Sequence, residues 1–160
     1  MLVIGCQKPN QSHNSRAKLK LQQFSSNIWN QILADTQKPY VVLNYYSMSN
    51  EAFQNVLPEI LTLSSTPNGD TEVVFVCVDD KSKVEKDLAS FLYQNTMEFS
   101  PYYNHIDSVK ELVSPVYPAW NQSLPLTMIY KKEGEFIEGM GLTDRNEIEM
   151  IISQDKTFTP

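Results

Sequence analysis

Apolar positions along the chain change their period several times, and each change marks a predicted element. Residues 40–46 read YVVLNYY, which predicts a central strand buried on both faces. Apolar side chains over 53–61 then recur at helical spacing, so the pattern predicts a helix that is capped by Ser49 or Asn50 and kinked at Pro58. The apolar run over 72–78 predicts a second buried strand.

The other elements follow from the same periodicities and from turn residues. They are a helix that ends at Lys38-Pro39, helices over 82–94 and 107–113, a strand over 124–130, a hairpin strand over 135–140 and a last helix that begins near Asp144. A βαβ half is thus followed by a ββα half. Because crossovers between parallel strands are right-handed, few topologies fit this order.

Three segments resemble thioredoxin-like proteins of the TlpA type. Residues 41–60, VVLNYYSMSNEAFQNVLPEI, resemble a strand V-x-V-N-F-W-A that leads to W-C-x-x-C and a helix with P-E-L. Residues 123–142, SLPLTMIYKKEGEFIEGMGL, resemble G-V-P-T-T-F-L-I-D-x-x-G-x-I-x-x-x-x-G, with Pro125 at the cis-proline position. The run VVFVCVDD, the helix after it and MEFSPYY resemble the strand–helix insertion of TlpA-like proteins. The resemblance implies an α/β thioredoxin-like fold, a central mixed β-sheet flanked by helices with that insertion.

The same resemblance implies that the usual chemistry is missing. Laid on the pattern without a gap, the two cysteine positions fall on Asn50 and Phe53, and residues 41–60 contain no cysteine. In active relatives the first cysteine is a thiolate stabilised at a helix N-terminus, and the second resolves the mixed disulfide. Asn50 and Phe53 can do neither. We therefore expect a scaffold with no catalytic residues that acts by binding another protein.

The expected binding surface surrounds the lost cysteine positions. In active relatives the loop before the cis-proline pairs with an extended peptide, and here residues 123–125 would serve. The predicted partner-binding surface consists of Ser49, Asn50, Phe53, Trp120, Leu124 and Pro125. Four aromatic residues either line a groove at this place or pack in the core, with packing favoured for side chains of their size: Tyr45, Tyr46, Tyr117 and Trp120.

Composition narrows the classes of function. The chain has 160 residues, 41% of them hydrophobic, and a net charge of -6, with one short basic block over 16–20. Neither a nucleic-acid partner nor a metal or cofactor site is expected, since Asp79-Asp80 reads as loop and cap chemistry and His105 as a surface or capping residue. Cys77 lies in an apolar run and is predicted to be buried. An oxidoreductase that uses Cys77 or Cys6 is the alternative, which thiol exposure decides.

The N-terminus resembles a bacterial lipobox. Four apolar or small residues that end in Gly5 precede Cys6, and residues 7–15 are polar. In lipoproteins such a cysteine is diacylated and followed by a flexible tether. No charged segment precedes the apolar residues, so an ordinary cytoplasmic N-terminus remains the alternative.

These features predict a domain plan and a location. The plan is a lipoprotein signal remnant over 1–6, a tether over 7–15, a thioredoxin-like domain over 16–155 and a tail over 156–160. The expected location is the periplasmic side of a bacterial envelope, with a lipid anchor on Cys6. A cytoplasmic thioredoxin-fold module is the alternative. No other stretch approaches the ~20 apolar residues of a membrane-spanning helix.

Overall fold

Six strands form one mixed sheet in residues 21–66, 69–94 and 102–158, which the computed structural model describes. The strands are β1 (Gln22–Gln23), β2 (Tyr40–Tyr46), β3 (Thr71–Cys77), β4 (Tyr102–Tyr103), β5 (Leu126–Lys131) and β6 (Phe136–Met140). Their order is β1-β4-β3-β2-β5-β6, with β1 to β4 parallel and β5 antiparallel to both β2 and β6. This confirms the predicted mixed sheet.

Helices cover both faces of the sheet. They are α1 (Ser26–Asp35), α2 (Glu51–Ser65), α3 (Lys81–Gln94), α4 (Ile106–Val113) and α5 (Arg145–Phe158). Buried side chains of α2, α3 and α5 form one hydrophobic core with the sheet, and those of α4, with α1 packed beside them, form the other. None of the helices in the described ranges is long and apolar enough to cross a membrane.

The strand β2 lies between β3 and β5, and all seven of its residues are buried, which confirms the sequence prediction. Side chains alternate across a strand, so Val42 and Tyr46 enter one core while Val41 and Tyr45 enter the other. Asn44 is the polar exception. Its Oδ1 accepts a hydrogen bond from Thr127 Oγ1 of β5 at 2.8 Å, which joins the two central strands.

One strand was not predicted, and the last helix is longer than expected. Strand β1 was not predicted because two exposed glutamines carry no apolar pattern, and backbone pairing with β4 defines it. Helix α5 continues past residue 155 to Phe158, into the segment that the sequence analysis treats as a tail. The last turn is held by a hydrogen bond of 2.9 Å from Tyr40 to Asp155 and by the pair Lys156–Asp70.

Two other sequence predictions are not settled by these elements. Helix α2 runs through Pro58, whose kink stays a prediction. The proposed lipidation site Cys6 and the tether over 7–15 lie outside the described residues.

Candidate functional site

The start of α2 lies at the carboxyl end of β2, and of the two predicted caps, Ser49 and Asn50, it is Asn50 that caps the helix. The Asn50 backbone is extended, with φ -90° and ψ 95°, and its Oδ1 accepts a hydrogen bond from the Phe53 N–H at 2.9 Å. That bond satisfies one of the free N–H groups at the helix start. The position predicted for the first cysteine therefore carries an amide that is engaged in holding the helix.

The other end of the Asn50 amide reaches the loop before β5. Its Nδ2 donates to the Leu124 carbonyl over 3.4 Å, and the Leu124–Pro125 peptide bond is cis, as predicted. Two segments that are 74 residues apart in sequence are thus brought together. Ser49 is exposed, Asn50 and Leu124 are half-buried, and Pro125 is buried.

Phe53 lies in the core, which corrects the expectation that it belongs to the binding surface. Its side chain is 1% exposed, and its ring stacks on Tyr46 with ring centres 4.8 Å apart and meets Phe75 at 6.3 Å. The physical reason is helical spacing, since Phe53 shares its buried face with Leu57 and Ile60. Phe53 therefore adds apolar contact beneath the site and offers none to a partner.

Asp79 holds the turn between β2 and α2 and was missed as part of the site. Its Oδ2 accepts the Met48 N–H and its Oδ1 accepts the Ser47 hydroxyl, each at 2.7 Å. The sequence signal for this role is the position of Asp79 just after β3. The carboxyl ends of neighbouring parallel strands lie at the same edge of a sheet, so a residue after β3 can reach the turn after β2. No group of three or more metal-ligating side chains occurs in the part of the chain that the structure describes.

Cys77 is fully buried, which confirms the prediction. Its Sγ donates to Asp79 Oδ2 over 3.6 Å, and burial raises the pKa of the thiol to about 12. A reactive cysteine needs an accessible thiolate. Cys77 offers neither access nor a thiolate at neutral pH, and this weighs against an oxidoreductase that uses it.

A groove of about 210 Å³ adjoins the cis-proline loop. Its described lining is Tyr117, Ala119, Trp120, Asn121, Ser123, Pro125, Leu126, Met140 and Gly141. Trp120 is half-buried, and its indole N–H donates to the Ser123 carbonyl at 2.9 Å. Tyr117 packs so closely on Gly139 that a Cβ there would lie 2.6 Å from the ring. Tyr117 and Trp120 therefore line the groove, whereas Tyr45 and Tyr46 are core residues as expected.

Two exposed aliphatic side chains stand next to groove residues in the chain. Val116 precedes Tyr117 and is 42% exposed, and Leu142 follows Gly141 and is 50% exposed. Sequence reasoning missed both because single apolar residues in loops carry no periodic signal. The residues Ser49, Asn50, Val116, Trp120, Leu124 and Leu142, with the groove, are called the loop face below.

Solved structures with a similar backbone come from thioredoxin-like proteins. The thioredoxin-related protein of Neisseria meningitidis serogroup B is 15% identical with a TM-score of 0.59, over 78% of this chain and 90% of that chain. A DsbF homologue from Corynebacterium diphtheriae is 16% identical with a TM-score of 0.60, over 76% and 75%. The exposed lipoprotein thioredoxin of Streptococcus pneumoniae is 13% identical with a TM-score of 0.52, over 76% and 89%.

The chain has a thioredoxin-like fold. No protein-family model matches its sequence, and no curated protein sequence matches it significantly. At identities this low the shared backbone establishes the fold, so function has to be argued from the site. Asn50 and Phe53, one helical turn apart at the start of α2, stand where the sequence resemblance places the two cysteines.

Replacing Asn50 by alanine should lower the free energy of unfolding by about 1 kcal/mol, because the Phe53 N–H loses its acceptor. Asn50→Asp keeps the acceptor and should stay within ~0.5 kcal/mol of the parent. Urea unfolding measures both. Asn55→Ala, at an exposed position inside α2, is the matched control and should cost nothing. Equal stability of Asn50→Ala and the parent would contradict the capping role.

Labelling of Cys77 should be very slow in the folded protein. With a pKa of about 12, only ~1 in 10⁴ of the thiols is ionised at pH 8, and the sulfur is also covered. In a Cys6→Ser variant, a thiol reagent at pH 8 should react at least about 100-fold faster in urea than in buffer. The ordinary pKa of a cysteine thiol is 9.0, and burial keeps the folded Cys77 thiol neutral well above that pH. The free energy of unfolding should therefore decrease as the pH rises above 9.0. Equal rates in urea and buffer would show that Cys77 is accessible in the folded protein and would support an oxidoreductase that uses it.

Proposed function

We propose that this protein is a thioredoxin-fold binding protein that holds another protein on the loop face and performs no thiol exchange. The observation that carries the proposal is the position of Asn50. An amide stands where the resemblance places the attacking thiolate, with its oxygen on the Phe53 N–H and its nitrogen on the Leu124 carbonyl. An asparagine side chain cannot form a disulfide, so Asn50 can hold the helix start and the loop together but cannot take part in thiol exchange.

The loop face supports a binding role. The groove of about 210 Å³ has room for a side chain, and Val116 and Leu142, which are chain neighbours of the lining residues Tyr117 and Gly141, are exposed apolar side chains. The carbonyls of Ser123 and Leu124 already accept hydrogen bonds from Trp120 and Asn50. A carbonyl oxygen has two lone pairs, so each can accept a second bond from an extended segment, the recognition mode in which a peptide pairs with backbone. The partner that fits best is an extended protein segment with an apolar side chain for the groove. In such a complex the protein would act as an assembly factor, as a chaperone-like holder or as a subunit of an envelope complex.

The proposed location is the bacterial envelope, with Cys6 as a lipid anchor. Two proteins of the same fold support it by their descriptions, a secreted disulfide oxidoreductase of Mycobacterium tuberculosis and the exposed lipoprotein thioredoxin of Streptococcus pneumoniae. The ordering of apolar residues, Gly5, Cys6 and a polar stretch supports the anchor. An anchored domain would meet its partner at a membrane surface.

The binding role is tested by a photo-crosslinking amino acid in place of exposed Ser49 in cells, with the same amino acid in place of Asn146 on α5 as the off-site control. One protein should crosslink from position 49 and not from position 146. Leu142→Glu should reduce that product about ten-fold, since a charge in place of an exposed apolar side chain next to the lining residue Gly141 opposes apolar contact. Met150→Glu is the matched control, because Met150 is 52% exposed on α5 and carries the same change. Equal loss in both variants, or insulin reduction with turnover by the purified Cys6→Ser protein, would overturn the proposal.

Lipid attachment is tested separately. The parent protein should be found in the membrane fraction, and mass spectrometry should detect a diacylated Cys6. Cys6→Ala should move the protein to the soluble fraction, because the acyl chains on Cys6 would supply its affinity for the membrane. A parent protein that is soluble and carries an unmodified Cys6 would favour the cytoplasmic alternative.

A further inference from the structure

A larger groove, of about 570 Å³, opens at the edge of β3. It runs between α1 on one side and α2 on the other, with the ends of β1 and β4 at one end. Its described lining is Gln22, Ile28, Gln31, Ile32, Asp35, Thr36, Leu61, Ser64, Ser65, Glu72, Val73, Val74, Phe75 and Tyr102. None of the residues of the loop face belongs to it.

The floor of this groove is a strand edge that the described strands leave open. Strand β4 pairs with β3 only at Val76 and Cys77. The pairing of β3 with β2 turns the backbone groups of Val73 away from β2 and toward the groove. The Val73 N–H donates to the Ser64 hydroxyl at 2.7 Å, so a side chain takes the place of a strand there.

The walls of the groove carry charge of one sign. Asp35 of α1 and Glu72 of β3 are its two charged residues among those described, and neither forms an ion pair with a described residue. No described lysine or arginine lines the groove. An occupant with basic side chains would match this charge.

We propose that this groove binds residues 16–20 of the same chain. They lie outside the described residues, and they read Arg-Ala-Lys-Leu-Lys, with three basic side chains that alternate with two apolar ones. Alternate side chains of an extended segment point to opposite faces, so the basic ones suit Asp35 and Glu72 on the α1 side and the apolar ones suit Leu61 on the α2 side. The inference does not rest on the proposed partner-binding function.

The length of the segment and its point of attachment support this occupant. The described chain begins at Leu21, and the next residue, Gln22, already lines the groove. Five extended residues span ~17 Å, and residues 72–75 span ~13 Å of the groove floor, so the segment is long enough to cover them. A segment tethered at the mouth of its site has an effective concentration in the millimolar range, which gives it an advantage over a separate chain. A second copy carries a net charge of -6 and is a poorer match for an acidic groove.

The test uses the full chain with the photo-crosslinking amino acid p-benzoylphenylalanine in place of Leu19, followed by mass spectrometry of the crosslinked peptides. The expected product is intramolecular and joins residue 19 to the peptides of α1, α2 or β3 that line the groove. Asp35→Lys, on the exposed surface of α1, should reduce its yield about two-fold, and Asp35→Lys with Glu72→Lys about five-fold, the losses expected for one and two partly exposed ion pairs. Reversing Arg16, Lys18 and Lys20 to Glu in the doubly changed chain should restore the yield.

The matched control is Asp107→Lys with Glu111→Lys, which makes the same change in net charge at two exposed positions of α4 outside the groove. Its crosslinks should equal those of the parent. Crosslinks between two chains would overturn the proposal in favour of a second copy. Crosslinks to other surfaces, or a yield that both pairs of charge changes alter equally, would overturn it as well. Asp35 is exposed, so Asp35→Lys should fold even if the variant with Glu72→Lys does not. Its crosslinking yield can then still be compared with that of the parent.

Discussion

Burial of β2 on both faces is the constraint on which the rest of this structure depends. Seven consecutive buried residues need a helix layer above and below the sheet, and α2, α3 and α5 supply one while α1 and α4 supply the other. The neighbours β3 and β5 take up the backbone hydrogen bonds of β2. The buried strand can leave the core only at its ends, so the chain emerges at Ser47, where the start of α2, the end of β3 and the loop before β5 meet.

Hydrogen bonds hold these three segments together. By the sequence resemblance, the corresponding segments of active thioredoxin-like proteins carry the reactive cysteines. Asp79 fixes the turn through Ser47 and Met48, and Asn50 fixes the helix start and touches Leu124. Bonds to a carboxylate are stronger than neutral ones, so the turn is well held. Phe53 below contributes ring packing against Tyr46 in place of a second thiol. These replacements are consistent with one another, since each adds a structural contact and none adds a reactive group.

The sequence predicted the long periodic elements and failed where short or distant contacts decide. Strand β2 and helix α2 have strong patterns, and the cis bond before Pro125 followed from the motif. The motif places Phe53 at the surface with the other site positions, whereas its helical spacing with Leu57 indicates burial, and the structure follows the spacing. The role of Asp79 depends on residues 31 and 32 positions away, and no local pattern encodes it. The length of α5 likewise depends on contacts made by Asp155 and Lys156 with distant residues.

Helix α2 sets the distance between the two proposed binding regions. Its cap, Asn50, belongs to the loop face, and Leu61 and Ser64 near its other end line the acidic groove. At 1.5 Å per residue, Leu61 and Ser64 lie ~16 and ~21 Å from Asn50 along the helix axis. A basic segment in the groove would therefore leave the loop face uncovered, and a partner on the loop face would not displace the segment. The two sites lie at different parts of one helix, so the segment and a partner could be bound at the same time.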